Sequence, residues 1–353
     1  MENIQGQLTS PKENIRLWKV HRRTSTRVFS FLTCIAILIA AFAMSGVWLN
    51  RENMLGFLDK TSSQGDGGTL TEEDISLENQ KPDRNPQTSL VIPEGATAIV
   101  SLDLSYKANG LSILQNETLY HPNLEEIKNK QSITDQNSDG PLVLILHTHA
   151  SEAYLPPHVS YLEGNIGQNI YSNDSERSVI AVGRVLCDTL NQNGISAIQC
   201  TDQHGKSGTL QNSYQGTAAC IARYLEKYPS IQYVIDLHRD GILNNNGELV
   251  KTVTTHEGNA YGQIMAVVGT DGNGTEHPNW ESNLSLAIRL NEGLESQIEN
   301  LCRPISLRNA SYNQELAPNS LLIEIGSAGN TQEEAIRSAK LVGEVLSELI
   351  KSG

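Results

Sequence analysis

The chain has 353 residues, a formal net charge of −14 and only 5% aromatic residues. Such acidity argues against a nucleic-acid binder, and so few rings argue against a large aromatic-lined carbohydrate cleft. The cysteines stand singly at Cys34, Cys187, Cys200, Cys220 and Cys302, so a zinc site built on Cys-x-x-Cys pairs is not expected. Cys34 falls in a hydrophobic N-terminal stretch, and the other four could form disulfides outside the cytoplasm.

Residues 1–27 are polar and carry Lys12, Arg16, Lys19, Arg22, Arg23 and Arg27. Val28 to Leu49 then runs without a charge. About 20 apolar residues suffice to cross a bilayer as a helix. The basic flank places residues 1–27 in the cytoplasm and everything after Leu49 outside it. A cleaved signal peptide is the competing reading, with Ala41-Phe42-Ala43 as its small-residue site. The apolar stretch is longer than a signal core of about 7–15 residues, so an uncleaved anchor over residues 28–49 is expected. Residues 50–90 hold Gly65 to Gly68 and the run Lys81-Pro82-Asp83-Arg84-Asn85-Pro86, with no sustained apolar period, and read as a flexible linker. Residues 91–140 read as a membrane-proximal segment, with a strand at Thr97–Leu102 and a short helix at Asn123–Lys130.

From Pro141 to the end of the chain at residue 353 the pattern becomes regular. Strands are predicted at Leu142–Leu146, Ile195–Cys200, Ile231–Leu237, Val250–Thr255, Gln263–Val268 and Leu321–Ile325. Helices are predicted near residues 175–193, 217–228 and 281–300, and a last one reaches about Lys351. Thr331 with Glu334 three residues on forms a capping box for that last helix. Strands alternating with helices predict an α/β fold, a mostly parallel open sheet with helices on both faces.

Three of these strands end in metal-type or acid–base residues. The first leads into His147, His149 and Glu152, the third into His238, and the late strand carries Glu324. Parallel strands present their carboxyl ends along one edge, so these residues can converge. Two histidines and a carboxylate with one open position suit a catalytic Zn2+. Glu324, between apolar neighbours, is the candidate general base and acid. His238 and Glu152 lead as ligands, while His147 and His149 compete for the remaining place. In an extended segment both would point the same way, and His149 could instead contact substrate. Asp236, on the same strand face as His238, is placed to orient a metal-bound imidazole. Arg239 is a candidate clamp for a substrate carboxylate, or equally a structural ion-pair partner of Asp240 or Asp236.

Each residue also has a plainer reading. Glu324 alone is as readily a core-edge carboxylate paired to Arg239 or Arg308. His238 alone could be a satisfied histidine with Asp236 as its partner. His21, His121, His158, His204, His256 and His277 show no partner pattern and read as surface residues.

At this point the residues resemble the stage II sporulation protein P family. The run Leu144 to Tyr154 resembles its opening motif. Val234 to Asp240, Val267 to Asp271, His277 to Glu281, Tyr312-Asn313-Gln314 and Leu321 to Ser327 continue it collinearly over roughly residues 141–353. The resemblance implies a zinc-dependent peptidoglycan hydrolase that degrades septal wall during forespore engulfment in sporulation. It implies N-acetylmuramoyl-L-alanine amidase activity and endopeptidase activity on peptide cross-links, on a fold similar to the zinc amidases. It also implies work at the septal and engulfing membranes of the mother cell, in a complex with sporulation proteins D and M. Ala150 and the stretch Tyr171 to Arg177 depart from the family pattern. In the related amidases a glutamate near this helix start ligates zinc, which makes Glu176 an alternative ligand and would move Glu152 to a supporting role. Two further readings compete with the amidase: a catalytically weak peptidoglycan-binding scaffold, and another metal hydrolase such as a deacetylase or carboxypeptidase.

Overall fold

The computed structural model describes residues 92–130, 139–204 and 213–352. The predicted cytoplasmic segment, anchor and linker lie outside the described residues. Among the described residues no helix is long and apolar enough to cross a membrane.

The first elements are β1 (Thr97–Leu102), β2 (Leu114–Asn116), α1 (Leu124–Lys128), β3 (Val143–Leu146), β4 (Tyr161–Leu162) and α2 (Ile166–Ile170). Next come α3 (Val179–Gln192), β5 (Ala197–Gln199), α4 (Ser213–Lys227), β6 (Tyr233–Asp240), β7 (Leu249–His256) and β8 (Asn259–Gly262). The last are β9 (Ile264–Gly269), α5 (Trp280–Gln297), β10 (Ile305–Arg308), a 3-10 turn at Gln314–Leu316, β11 (Ser320–Ser327) and α6 (Gln332–Ser352).

A seven-stranded sheet has the order β2-β10-β9-β11-β6-β3-β5. All neighbours are parallel except β9 and β11. The sheet is therefore mixed, a correction to the mostly parallel expectation. β2, β10 and β9 run against the other four strands. The reversal follows from β7 and β8, an antiparallel pair that hands the chain straight to β9 without a helical crossover. A second sheet has the order β4-β1-β7-β8. The stretch read as membrane-proximal is woven into both sheets: β1 pairs with β7 and β2 with β10.

Helices do cover both faces. On one face Val143, Ile145, Ile235, Leu237 and Ile323 pack under Val182 and Leu186 of α3, Leu284 of α5 and Val342 of α6. Each fully buried Leu or Ile there contributes roughly 1.5–3 kcal/mol. On the other face Leu144, Leu146 and Val234 pack against Cys220 and Ile221 of α4. The predicted cap on α6 is present: Thr331 N–H donates to Glu334 Oε2 at 3.0 Å and Glu334 N–H to Thr331 Oγ1 at 3.4 Å.

Candidate metal centre

β11, β6 and β3 are adjacent and parallel, so their register decides which side chains share a face. Leu146 pairs with Asp236, Leu322 with Asp236, and Glu324 with His238. Asp236, His238 and Glu324 therefore project from the face that α4 partly covers. Glu324 stands directly beside His238 on the neighbouring strand.

The chain leaves β3 at Leu146 and enters a turn over residues 148–151. Glu152 N–H donates to His149 O at 3.0 Å across it. This turn brings His149 and Glu152 together and aims both at His238. His149 Nδ1 lies 3.4 Å from Glu152 Oε1, and His238 Nδ1 lies 3.4 Å from Glu152 Oε2. The two imidazoles meet edge to face, with centroids 5.0 Å apart. One ligand atom from each of the three residues lies within 4.8 Å of the others. Ligands about 2.0–2.1 Å from a tetrahedral zinc stand roughly 3.3 Å from one another. Two imidazoles and a carboxylate at these separations fit that ion.

The other ring nitrogen of His238 faces Asp236. Its Nε2 lies 2.9 Å from Asp236 Oδ1, an ion-pair contact off the ideal hydrogen-bond direction. Thr148 fixes that carboxylate, its N–H donating to Oδ1 at 2.8 Å and its hydroxyl to Oδ2 at 2.6 Å. Burial works against charge on His238, but Asp236 and Glu152 outweigh it and raise the imidazole well above its usual range. Burial likewise works against the Glu152 carboxylate, and His238, His149 and Arg239 hold it well below the usual range. A metal held here would have to replace the His238 proton, so its uptake would release protons.

His147 is not part of this group. Because the turn begins immediately after it, His147 and His149 diverge, and the extended segment that would have aligned them is not formed. The His147 ring lies on the opposite face, under α3. Its Nδ1 is 2.9 Å from Leu237 O and its Nε2 is 2.9 Å from Gln199 Nε2. A carbonyl only accepts and an amide nitrogen only donates, so the ring is neutral with its proton on Nδ1. Burial pushes its pKa down to about 4. Gly183 makes the room: a Cβ there would stand 2.5 Å from His147 Cε1.

Glu176 is also elsewhere. Its side chain is mostly exposed and forms a bidentate pair with Arg184, at 3.0 and 2.8 Å. Arg239 is not a substrate clamp in this arrangement, nor does it pair with Asp236 or Asp240. It is buried, and its guanidinium donates to the carbonyls of Ala153 at 3.2 Å and Ile170 at 2.7 Å while stacking near Tyr171. Its backbone N–H donates to Glu152 Oε2 at 3.1 Å. Arg239 thus fastens the segment that carries Glu152. Asp240 pairs instead with Arg303 at 2.7 Å.

Sequence reasoning missed four contributors. Thr148 fixes the Asp236 carboxylate behind His238, and Gln199 holds the His147 ring. Tyr214, in the first turn of α4, sets its ring edge-on to His149 with centroids 5.7 Å apart. Tyr312, tilted against Tyr214 at 6.0 Å, packs on Met265, Val267 and Leu322 along the same sheet face as Glu324. Only Thr148 carried a signal, as the hydroxyl between two candidate ligands. His277, read as a surface residue, is buried, with Nε2 3.1 Å from Asn283 Nδ2.

A family model described as stage II sporulation protein P (SpoIIP) matches residues 69–347. The chain belongs to that family. A curated relative, stage II sporulation protein P of Bacillus subtilis (strain 168), is 28% identical over 246 residues. That match covers 64% of this chain and 58% of the relative's length. Among solved structures, the N-acetylmuramoyl-L-alanine amidase AmiC2 of Nostoc punctiforme is 12% identical with a TM-score of 0.37, covering 61% of this chain and 99% of that one. The CwlD amidase of Clostridioides difficile, solved in complex with the GerS lipoprotein, is 13% identical with a TM-score of 0.35, covering 59% and 99%.

Proposed function

We propose that the chain is a zinc-dependent peptidoglycan hydrolase of sporulation. Its main activity is that of an N-acetylmuramoyl-L-alanine amidase, and the same site also cuts peptide cross-links. The observation that carries this reading is the buried triangle of His149, Glu152 and His238 with Glu324 beside it, in a chain of the SpoIIP family.

His149, Glu152 and His238 would hold the zinc. When bound, the ion acts as a Lewis acid towards the amide carbonyl and an attacking water. Glu324 takes the proton from that water and returns it to the departing amine nitrogen. Asp236, fixed by Thr148, keeps His238 oriented with Nδ1 towards Glu152, where it would be free to bind the zinc. Arg239 keeps Glu152 in place through its backbone N–H and its grip on residues 153 and 170. Amidase and endopeptidase chemistry are both amide hydrolysis, so one constellation serves both.

The remaining features of the reading rest on sequence and family. Residues 28–49 anchor the chain in the membrane with residues 1–27 in the cytoplasm. Residues 50–90 tether the catalytic part outside, at the septal and engulfing membranes. Sporulation proteins D and M are its partners there.

The test is incubation of the full chain in detergent with isolated peptidoglycan, with zinc and with chelator, followed by mass spectrometry of the released fragments. Free stem peptides and peptide-free glycans, lost on chelation, are expected. Cross-links cut while the peptides stay on the sugar would assign the endopeptidase as the main activity. Binding without any release would move the chain to the scaffold reading.

A further inference from the structure

Away from the metal centre, Cys200 follows β5 and Cys220 lies midway along α4, both about 1% exposed in an apolar cluster with Leu144, Leu146 and Ile221. Their Sγ atoms are 2.8 Å apart. Asp202 and His204 lie near enough that the four residues form a group of metal-ligand type.

Two chemistries fit such a pair. Two thiolates on one tetrahedral zinc, with bonds of about 2.3 Å, stand roughly 3.7 Å apart, farther than these sulfurs are. Asp202, the fourth donor such a site needs, is exposed and already paired with Arg223 at 2.5 Å. A covalent bond between two buried sulfurs needs neither of these neighbours. We propose that Cys200 and Cys220 form a disulfide that ties the end of β5 to the middle of α4.

The step balances through exchange with a disulfide-bearing oxidant. The Cys200 thiolate attacks one sulfur of the oxidant's disulfide and expels the other as a thiolate. The Cys220 thiolate then attacks the Cys200 sulfur and expels the first. The two cysteines together lose two electrons and two protons, and the oxidant gains both as a dithiol. A hydrogen bond from Cys220 brings the Cys200 thiol down to about 5, burial opposing and His204 assisting, which suits Cys200 as the attacking group.

The bond would bear on the centre through α4, whose first turn carries Tyr214 with its ring set against His149. Only this consequence rests on the hydrolase reading; the bond itself does not.

The test is to isolate the full chain from its native host with its thiols trapped by an alkylating agent in denaturant, then digest it with and without reductant. The expected result is one linked pair of peptides carrying Cys200 and Cys220, lighter by two hydrogens than the free thiol peptides and alkylated only after reduction. Cys187 and Cys302 are expected to alkylate without reductant. Reductant should also lower the Tm of the wild type by several degrees and leave a Cys200→Ser/Cys220→Ser variant unmoved. Full alkylation of both cysteines without reductant would overturn the proposal, and so would alkylation released by chelator, which would mark a metal site. None of these readouts involves hydrolysis, so loss of the hydrolase reading would leave them standing.

Discussion

His147 and His149 stand two residues apart in the sequence and on opposite faces of the same sheet. Beneath α3 the face is apolar, and His147 there is neutral, with both ring nitrogens satisfied by Leu237 and Gln199. On the other face His149 and His238 converge on the Glu152 carboxylate, with Asp236 charged behind them. A turn starting one residue after His147 makes the difference between a core histidine and one that faces Glu152 and His238. The lesson is that ligand-type residues at a strand end take their roles from where the turn begins, more than from their spacing.

The comparison breaks most visibly at Glu324. Glu324→Gln should lower amide hydrolysis by about 10²- to 10⁴-fold, since it removes the proton carrier. Zinc content should stay at the wild-type level, because Glu324 is not among the residues proposed to hold the ion. If zinc is lost with the activity, Glu324 belongs to the metal and the assignment of roles is wrong.

Acid sharpens the contrast from the other face. Unfolded, His147 binds a proton near pH 6.5; folded, only near 4. Between those values the unfolded chain holds more protons, so stability rises with pH and is lost as pH falls towards 4. The full difference is roughly 3 kcal/mol. Urea titrations of wild type and His147→Gln at pH 7 and pH 4.5 should show a larger loss for the wild type. Equal losses would place the acid sensitivity elsewhere.

Arg239→Lys tests the fastening of Glu152. A lysine cannot reach both carbonyls, and leaving one unsatisfied costs about 1–3 kcal/mol. The Tm should fall and zinc affinity should weaken with KM unchanged. A raised KM with an unchanged Tm would restore the substrate-clamp role. The smallest effect is expected at Glu176→Gln, which breaks only an exposed pair with Arg184; zinc content and activity should match the wild type.

Much of this was legible from the residues. The apolar run Val143–Leu146, the strand around Glu324 and the cap at Thr331 carry local signals and stand where they were expected, while the strand read as leading into His238 runs on to Asp240. β2, β10 and β4 span too few residues to show a period. The reversal of β9 depends on the β7–β8 pair, whose effect on sheet direction is not local. Within the site, His238, Glu152 and Asp236 were readable as candidates. The turn at residues 148–151 holds neither Gly nor Pro, so nothing in it announced that His147 and His149 would part. Tyr214 reaches His149 only through the packing of α4.

Metal stoichiometry separates His149 and His238 from His147 in a single experiment. The full chain, with His147→Gln, His149→Ala and His238→Ala variants each verified as folded by circular dichroism, would be equilibrated with zinc, desalted and assayed by mass spectrometry. One zinc per chain is expected in the wild type and in His147→Gln, and its loss in His149→Ala and His238→Ala. Zinc retained by His149→Ala and lost by His147→Gln would contradict it.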